Sequence, residues 1–461
     1  MSGKPRGPIV LAFSGGLDTS YCVPWLAETY GRPVVTVTVD TGGLDEAAAA
    51  ELERRARQLG AADHLRVDAK RDYFERVLRF LVAGNVRRGG VYPLCVGAER
   101  ALQAQEVARA AARLGSDTVA HGCTAAGNDQ VRFEVALRAL APELEVLAPI
   151  RDQPKSRAEE AAYLVERGFA VPPSGSGGAA YSINRGLWGT TIGGRETLGS
   201  SEPLAEDAWV LTRSAFAVRL PASTHKIGFT RGVPTSFDGE TLEAVALVER
   251  LEAAAAPFGI GRGIHLGDTV LGIKGRVAFE APAAEVLLTA HRELEKLVLT
   301  GRQQRLKDAV AAFYGDWVHE GHHLDAACRD AEALLASSQE RVTGEVRVQF
   351  RPGSCFVEGV TSPFSLMAAS RGSYGEAAAE WTSGDAAGFA RLLAVPGALY
   401  ERAGRQAEAA ASAADQQGAG WGRPLPLEGQ GDGGTGVEPN PGEGVGRAAA
   451  SARSALGVET R

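Results

Sequence analysis

Residues 14–20 read Ser14-Gly15-Gly16-Leu17-Asp18-Thr19-Ser20, a string with the make-up of a phosphate cradle. Glycines let backbone amides approach an anion, the hydroxyls add donors, and a helix start adds positive potential. The apolar run just before it, 8–13 (PIVLAF), predicts a buried strand, so the loop joins a strand to a helix. An ordinary turn could carry the two glycines alone; the whole string after a buried strand favours the cradle. No Gly-Lys-Ser/Thr follows, so it is not a Walker loop. A second polar set, Thr124, Asn128, Asp129 and Arg132, falls at another predicted helix start, with Asn128 and Arg132 one turn apart on one face. Its plainer reading is a capping Asn128 and a surface ion pair between Arg132 and Asp129.

Elements of the α/β kind must position these residues. Strands are expected at 8–13, 33–39, 64–67, 117–120 and 145–148, and helices at 19–30, 46–59, 98–114 and 129–140. Pro24 inside the first helix predicts a kink or a late start. Such alternation implies a parallel sheet covered on both faces, with ligands beyond the carboxyl ends of its strands. After about residue 172 the character changes. The segment 174–180 is Gly/Ser/Ala-rich and reads as a mobile linker. Helices at 242–256 and 283–299 and a hairpin-like pair of strands, 346–350 and 356–360, mark an α+β domain. Residues 402–461 hold no Ile, Phe, Tyr or Met and are expected to be disordered.

The composition narrows the class. A chain of 461 residues is too long for one ordinary domain, and 44% apolar content with no run long enough to span a bilayer fits a soluble protein without a membrane partner. Lys4 and Arg6 run straight into a strand-like segment, so no signal peptide is expected. Five scattered cysteines lack metal-ligand spacing, which points to a reducing cytoplasm and no protein-held metal. A net charge of -7 argues against a nucleic-acid partner.

The loop resembles that of the N-type ATP pyrophosphatases, which cleave ATP to AMP and pyrophosphate. Within that superfamily, 12–20 (AFSGGLDTS), 39–43 (VDTGG) and above all 120–134 (AHGCTAAGNDQVRFE) resemble the argininosuccinate synthase family, as do 181–184 (YSIN), 187–189 (LWG) and 272–274 (GIK). The resemblance covers about residues 8–400. It implies an adenine nucleotide alpha hydrolase-like domain over 1–172, an α+β synthetase and multimerisation domain over 173–383, a C-terminal packing helix at 384–404, a disordered tail at 405–461 and a homotetramer. It also implies an ATP-dependent ligase, in which the citrulline ureido oxygen is adenylylated and the aspartate amine then displaces AMP. Mg²⁺ would accompany ATP, held mainly through phosphate oxygens. By resemblance, ATP is held by Ala12, Phe13, Ser14, Gly15, Gly16, Leu17, Asp18, Thr19, Ser20, Val39 and Gly122. Thr124, Asn128 and Asp129 hold aspartate, and Tyr92, Asn128, Arg132, Ser182 and Thr191 hold citrulline. No residue is singled out as a catalytic acid or base.

Departures from the family pattern cluster on the citrulline side. A citrulline-binding Ser is Gly97, a citrulline-binding Glu is Gly267, and the Tyr before Glu-x-Pro is Phe279; Gly-Lys has become Ala125-Ala126, and a Gln is Gly43. A bond from a carboxylate to a cationic amine contributes roughly 1.5–3 kcal/mol, so losing Glu and Ser together predicts about a hundredfold weaker citrulline binding. Two alternatives follow: a paralogue joining aspartate to another adenylylated acceptor, and a non-catalytic nucleotide-binding subunit. A tRNA thiolase is disfavoured because no cysteine lies between Cys123 and Cys328.

Overall fold

The computed structural model describes residues 6–172, 181–372, 375 and 380–418. Strands β1 (Ile9–Ala12), β2 (Val34–Asp40), β3 (Asp63–Asp68), β4 (Thr118–Ala120) and β5 (Glu145–Leu147) form a sheet in the order β3-β2-β1-β4-β5. Every neighbouring pair is parallel. Alternate residues of β1 serve opposite faces. Ile9 and Leu11 pack with Tyr21, Leu26 and Leu164 from helices Leu17–Tyr30 and Arg157–Glu166, while Val10 packs with Val107 and Phe133 from helices Arg100–Arg113 and Asn128–Leu140. Strand order reverses between β1 and β4, and ligands of such sheets bind beyond the carboxyl ends at that point.

Two antiparallel sheets follow. One runs β10-β9-β8-β13-β14, from β8 (Ser223–Thr230), β9 (Val233–Phe237), β10 (Glu240–Thr241), β13 (Gly344–Arg351) and β14 (Ser354–Thr361). The other runs β11-β12-β7-β6, from β6 (Tyr181–Gly186), β7 (Gly189–Gly194), β11 (Arg262–Asp268) and β12 (Lys274–Glu280). Helices Pro282–Val298, Gly301–Glu320 and Ala326–Ser338 pack with them around a core that includes Leu287, Leu294, Tyr314, Leu335 and Val346. At its centre Lys307 Nζ meets Glu295 Oε2 at 2.6 Å, with both side chains fully buried. No described helix is long and apolar enough to cross a membrane.

The expected α/β and α+β halves are both present. Pro24 neither kinks the first helix into two nor delays it: the helix starts at Leu17, two residues before the expected 19, and runs on to Tyr30 with one donor fewer. The expected hairpin is longer, with β13 and β14 reaching a two-residue turn at Pro352-Gly353, where Gly353 has φ +75°. The linker expected at 174–180 lies outside the described residues.

The tail needs correction. Residues 405–418, expected to be disordered, continue a helix that spans Ser383–Gly418. Ala, Glu, Gln and Arg dominate that stretch and are strong helix formers, so local propensity sustains a helix without a core. The remainder of the tail, from 419 on, lies outside the described residues. The chain divides into two units, Met1–Arg371 and Gly372–Arg461, and this helix belongs to the second.

Candidate functional site

At the carboxyl end of β1 the backbone turns through Gly15, at φ +74°, into the helix that opens at Leu17. That conformation favours glycine, and a Cβ there, 2.2 Å from Leu52 Cδ2, would also push the Leu52 side chain aside. Gly16 precedes the helix with no side-chain cap, which leaves first-turn amides available to an anion. Ser14 Oγ and Thr19 Oγ1 lie 3.2 Å apart on the inner face of the loop. Ser20 does something else: it is fully buried, donates to the Gly15 carbonyl at 3.4 Å and accepts from Arg55 Nε at 3.0 Å. Gly15 and Ser20 therefore shape the loop, whereas Ala12, Phe13, Ser14, Gly16, Leu17, Asp18, Thr19 and Val39 border a cavity of about 820 Å³.

Across the switch point, the chain leaving β4 borders the same cavity. A Cβ on Gly122 would lie 2.9 Å from Thr19 Cγ2, so glycine there allows the two loops to touch. Thr124, Asn128, Asp129 and Arg132 all border the cavity. The ion pair of the plainer reading is present, but Arg132 is buried and Asp129 has a second cation. Asp129 Oδ2 accepts from Arg100 Nε at 3.0 Å and its Oδ1 from Arg132 Nη1 at 2.8 Å. Burial alone would raise this carboxyl, but the Arg100 and Arg132 charges overcome that and hold it at about 2. Asn128 does not cap its helix; its Oδ1 accepts the Val270 N–H at 2.9 Å from the turn between β11 and β12.

Arg100 organises a network that the motifs did not reveal. It donates to Glu99 Oε1 at 2.8 Å, to Gln103 Oε1 at 2.9 Å and to Asn184 Oδ1 at 3.4 Å on β6. Burial pushes the Glu99 carboxyl up to about 7, and its Oε2 has no partner. Its helix-like spacing with Gln103 carries no chemical signature, so only its companions disclose it.

The remaining wall comes from the second sheet system. Ser182 and Thr191, on paired strands β6 and β7, border the cavity, as does Tyr92. Tyr92 stacks on His265 at 5.6 Å between ring centres and meets Phe279 at 5.2 Å. Phe279 is itself buried in the core behind Tyr92 and does not border the cavity, so its departure from the family pattern changes packing rather than a direct contact. Arg132 Nε donates to the His319 carbonyl at 2.6 Å, and Nη2 lies 3.1 Å from His319 Nδ1. Burial, then the nearby Arg132 and Arg88 charges, lower His319 to about 3. His121, lowered to about 4 by burial and Arg151, accepts the Cys123 N–H at its Nδ1. His121, His265, His319 and Arg88 all border the cavity, and sequence reasoning missed each in that role.

A parallel sheet with a glycine loop at its switch point, faced by an α+β domain, defines a nucleotide-binding class of protein. The model for the arginosuccinate synthase N-terminal HUP domain matches residues 8–170, and that for the arginosuccinate synthase C-terminal domain matches 181–400. An argininosuccinate synthase of Xanthomonas campestris pv. campestris is 41% identical over 86% of this chain and 99% of its own length. One from Methanocaldococcus jannaschii is 37% identical over 85% of this chain and 97% of its own. The chain belongs to the argininosuccinate synthase family.

Proposed function

We propose that the chain joins aspartate to a ureido acceptor, citrulline in the family reaction, in two ATP-dependent steps. The ureido oxygen attacks the α-phosphorus of ATP, pyrophosphate leaves, and the acceptor carries AMP on that oxygen. The aspartate amine then attacks the ureido carbon, and AMP leaves with the bonding pair. Argininosuccinate, AMP and pyrophosphate result when citrulline is the acceptor. Two sites that open onto one cavity carry this reading: the loop 14–20 and the strip 124–132 face each other across the switch point.

The assignments follow the cavity. Ser14, Gly16, Asp18 and Thr19, with Ala12, Phe13, Leu17, Val39 and Gly122, hold ATP, and Gly15 and Ser20 keep the loop in shape. Thr124, Asn128 and Asp129 hold aspartate; Tyr92, Asn128, Arg132, Ser182 and Thr191 hold the acceptor. Fixed charges and positioning supply most of the rate, because the developing negative charge meets donors already in place. Mg²⁺ would neutralise the leaving pyrophosphate. The ion would be held by phosphate oxygens, with the carboxylate of Asp18 at the cavity wall beside them.

The domains are 1–172 and 173–383, and the enzyme works in the cytoplasm as a homotetramer. Helix Ser383–Gly418 supports assembly: Phe389, Leu392, Leu393, Leu399 and Tyr400 recur at helical spacing and are all more than half exposed. The test is product stoichiometry with ATP, aspartate and a ureido acid. AMP and pyrophosphate should appear one for one; ADP and phosphate instead would overturn the assignment.

A further inference from the structure

Five carboxylates among the described residues border the cavity: Asp18, Asp40, Glu99, Asp129 and Asp268. Asp40 meets Arg66 and Lys70 at 3.2 and 3.0 Å, and Asp129 is held by Arg100 and Arg132. Asp268 pairs with Lys274, and its side chain is 56% exposed. Asp18 stands in the phosphate loop. Glu99 differs from all four. It is 2% exposed, its Oε1 takes the bonds from Arg100 and Gln103, and its Oε2 has no partner. A buried acceptor of this kind calls for a donor, and a charged donor makes the strongest bond.

The segments that carry the acceptor residues frame Glu99. It ends the 3₁₀ turn Val96–Glu99, two residues after Gly97, where a Cβ would stand 3.2 Å from the Arg132 guanidinium. Its Oε2 faces the turn between β6 and β7, since a Cβ on Gly186 would collide with it. Those strands carry Ser182 and Thr191, and Asn184, the cross-strand partner of Thr191, accepts from Arg100 Nη2. At Gly267 the family carries a citrulline-binding Glu. Here a Cβ at that position would lie 2.5 Å from His265 Nε2, so the imidazole occupies the volume that a side chain would need. The acid with a free oxygen beside the acceptor strands is Glu99.

Resting on the ligase reading above, we propose that Glu99 receives the α-ammonium group of citrulline on Oε2, in place of the Glu that position 267 lacks. Glu99 is thereby a specificity-determining residue. A buried carboxylate that bonds an ammonium group rejects the same ureido acid without one, because its oxygen is then left unpaired. The chemistry is unchanged: the ureido oxygen still displaces pyrophosphate, and the aspartate amine still displaces AMP.

The experiment measures kcat/KM for citrulline and for 5-ureidopentanoate, which is citrulline without its amino group, by the initial rate of AMP formation with ATP and aspartate at about pH 8. There the Glu99 carboxyl, pushed up to about 7 by burial, is mostly ionised. The expected ratio is at least about tenfold in favour of citrulline, and Glu99→Gln should bring it to about one with the KM for ATP nearly unchanged. Gln keeps an acceptor oxygen for Arg100, and a ratio read in one preparation does not depend on how much of it is folded. A ratio near one in the unaltered protein, a ratio that Glu99→Gln leaves in place, or a variant inactive with both compounds overturns the inference and leaves the ligase reading standing. AMP from neither compound with the unaltered protein overturns both.

Discussion

Asn128 Oδ1 accepts the Val270 N–H at 2.9 Å, so the helix Asn128–Leu140 is fastened at its start to the turn between β11 and β12. One bond couples the first sheet's loop system to the wall that carries His265 and Gly267. Asn128→Ala strands the Val270 amide, at a cost of about 1–3 kcal/mol where such a group is buried. We expect a higher KM for both aspartate and the acceptor, with the KM for ATP nearly unchanged. Asn128→Asp retains an acceptor oxygen and should keep the melting temperature better than the alanine variant.

Ser14 and Thr19 supply the loop's side-chain donors, and Ser14→Ala tests them without touching the backbone. Loss of one bond to a charged phosphate is about 1.5–3 kcal/mol, or roughly ten- to a hundredfold in the KM for ATP. Gly15→Val is a poorer probe: with φ at +74° and Leu52 at 2.2 Å from its Cβ, it should lower stability as well as activity. Thermal melts of the two variants separate these effects.

The buried Glu295–Lys307 pair is a stability element remote from the chemistry. Asn85 Nδ2 and Gln339 Nε2 also donate to Glu295, and Lys307 Nζ also donates to the Ala83 carbonyl. Lys307→Met leaves Glu295 buried without its cation and should cost about 3–5 kcal/mol in urea unfolding. A change below about 1 kcal/mol would mean that the pair is solvated on the timescale of unfolding.

Glu99 gives the fold a pH dependence. Burial lifts its carboxyl from 4.5 to about 7, so between those values the folded chain binds a proton that the unfolded chain has lost. Stability contributed by the neutral carboxyl is therefore full below about 4.5 and is lost as pH rises through about 7. Glu99→Gln removes this slope. Melting temperatures at pH 5 and pH 8 should differ less in the variant than in the unaltered protein.

Deleting 383–461 removes the amphipathic helix and should lower the sedimentation mass without shifting the melt of the remaining unit. Tetramers persisting in the truncated chain would assign assembly to another surface.

Much of this was legible in the sequence because it rests on local rules. An apolar run before glycines marked β1 and its loop, and the β-branched run at 33–39 marked β2. The string 120–134 identified the strip. What stayed hidden depends on tertiary neighbours. Glu99 and Gln103 have no motif, and His265 and His319 lie 54 residues apart yet border one cavity. Phe279 misled for the converse reason: its type differed from the family pattern, but a buried position behind Tyr92 gives that difference no direct contact to lose. Helix 405–418 was missed because lack of core formers was weighed above helix propensity.

The central claim is that a ureido oxygen attacks the α-phosphorus at the loop 14–20. Citrulline labelled with ¹⁸O at the ureido oxygen tests it when turned over with ATP and aspartate and the AMP is read by mass spectrometry. The account predicts one ¹⁸O in the phosphate of AMP. Unlabelled AMP, or label released in pyrophosphate or phosphate, would contradict it.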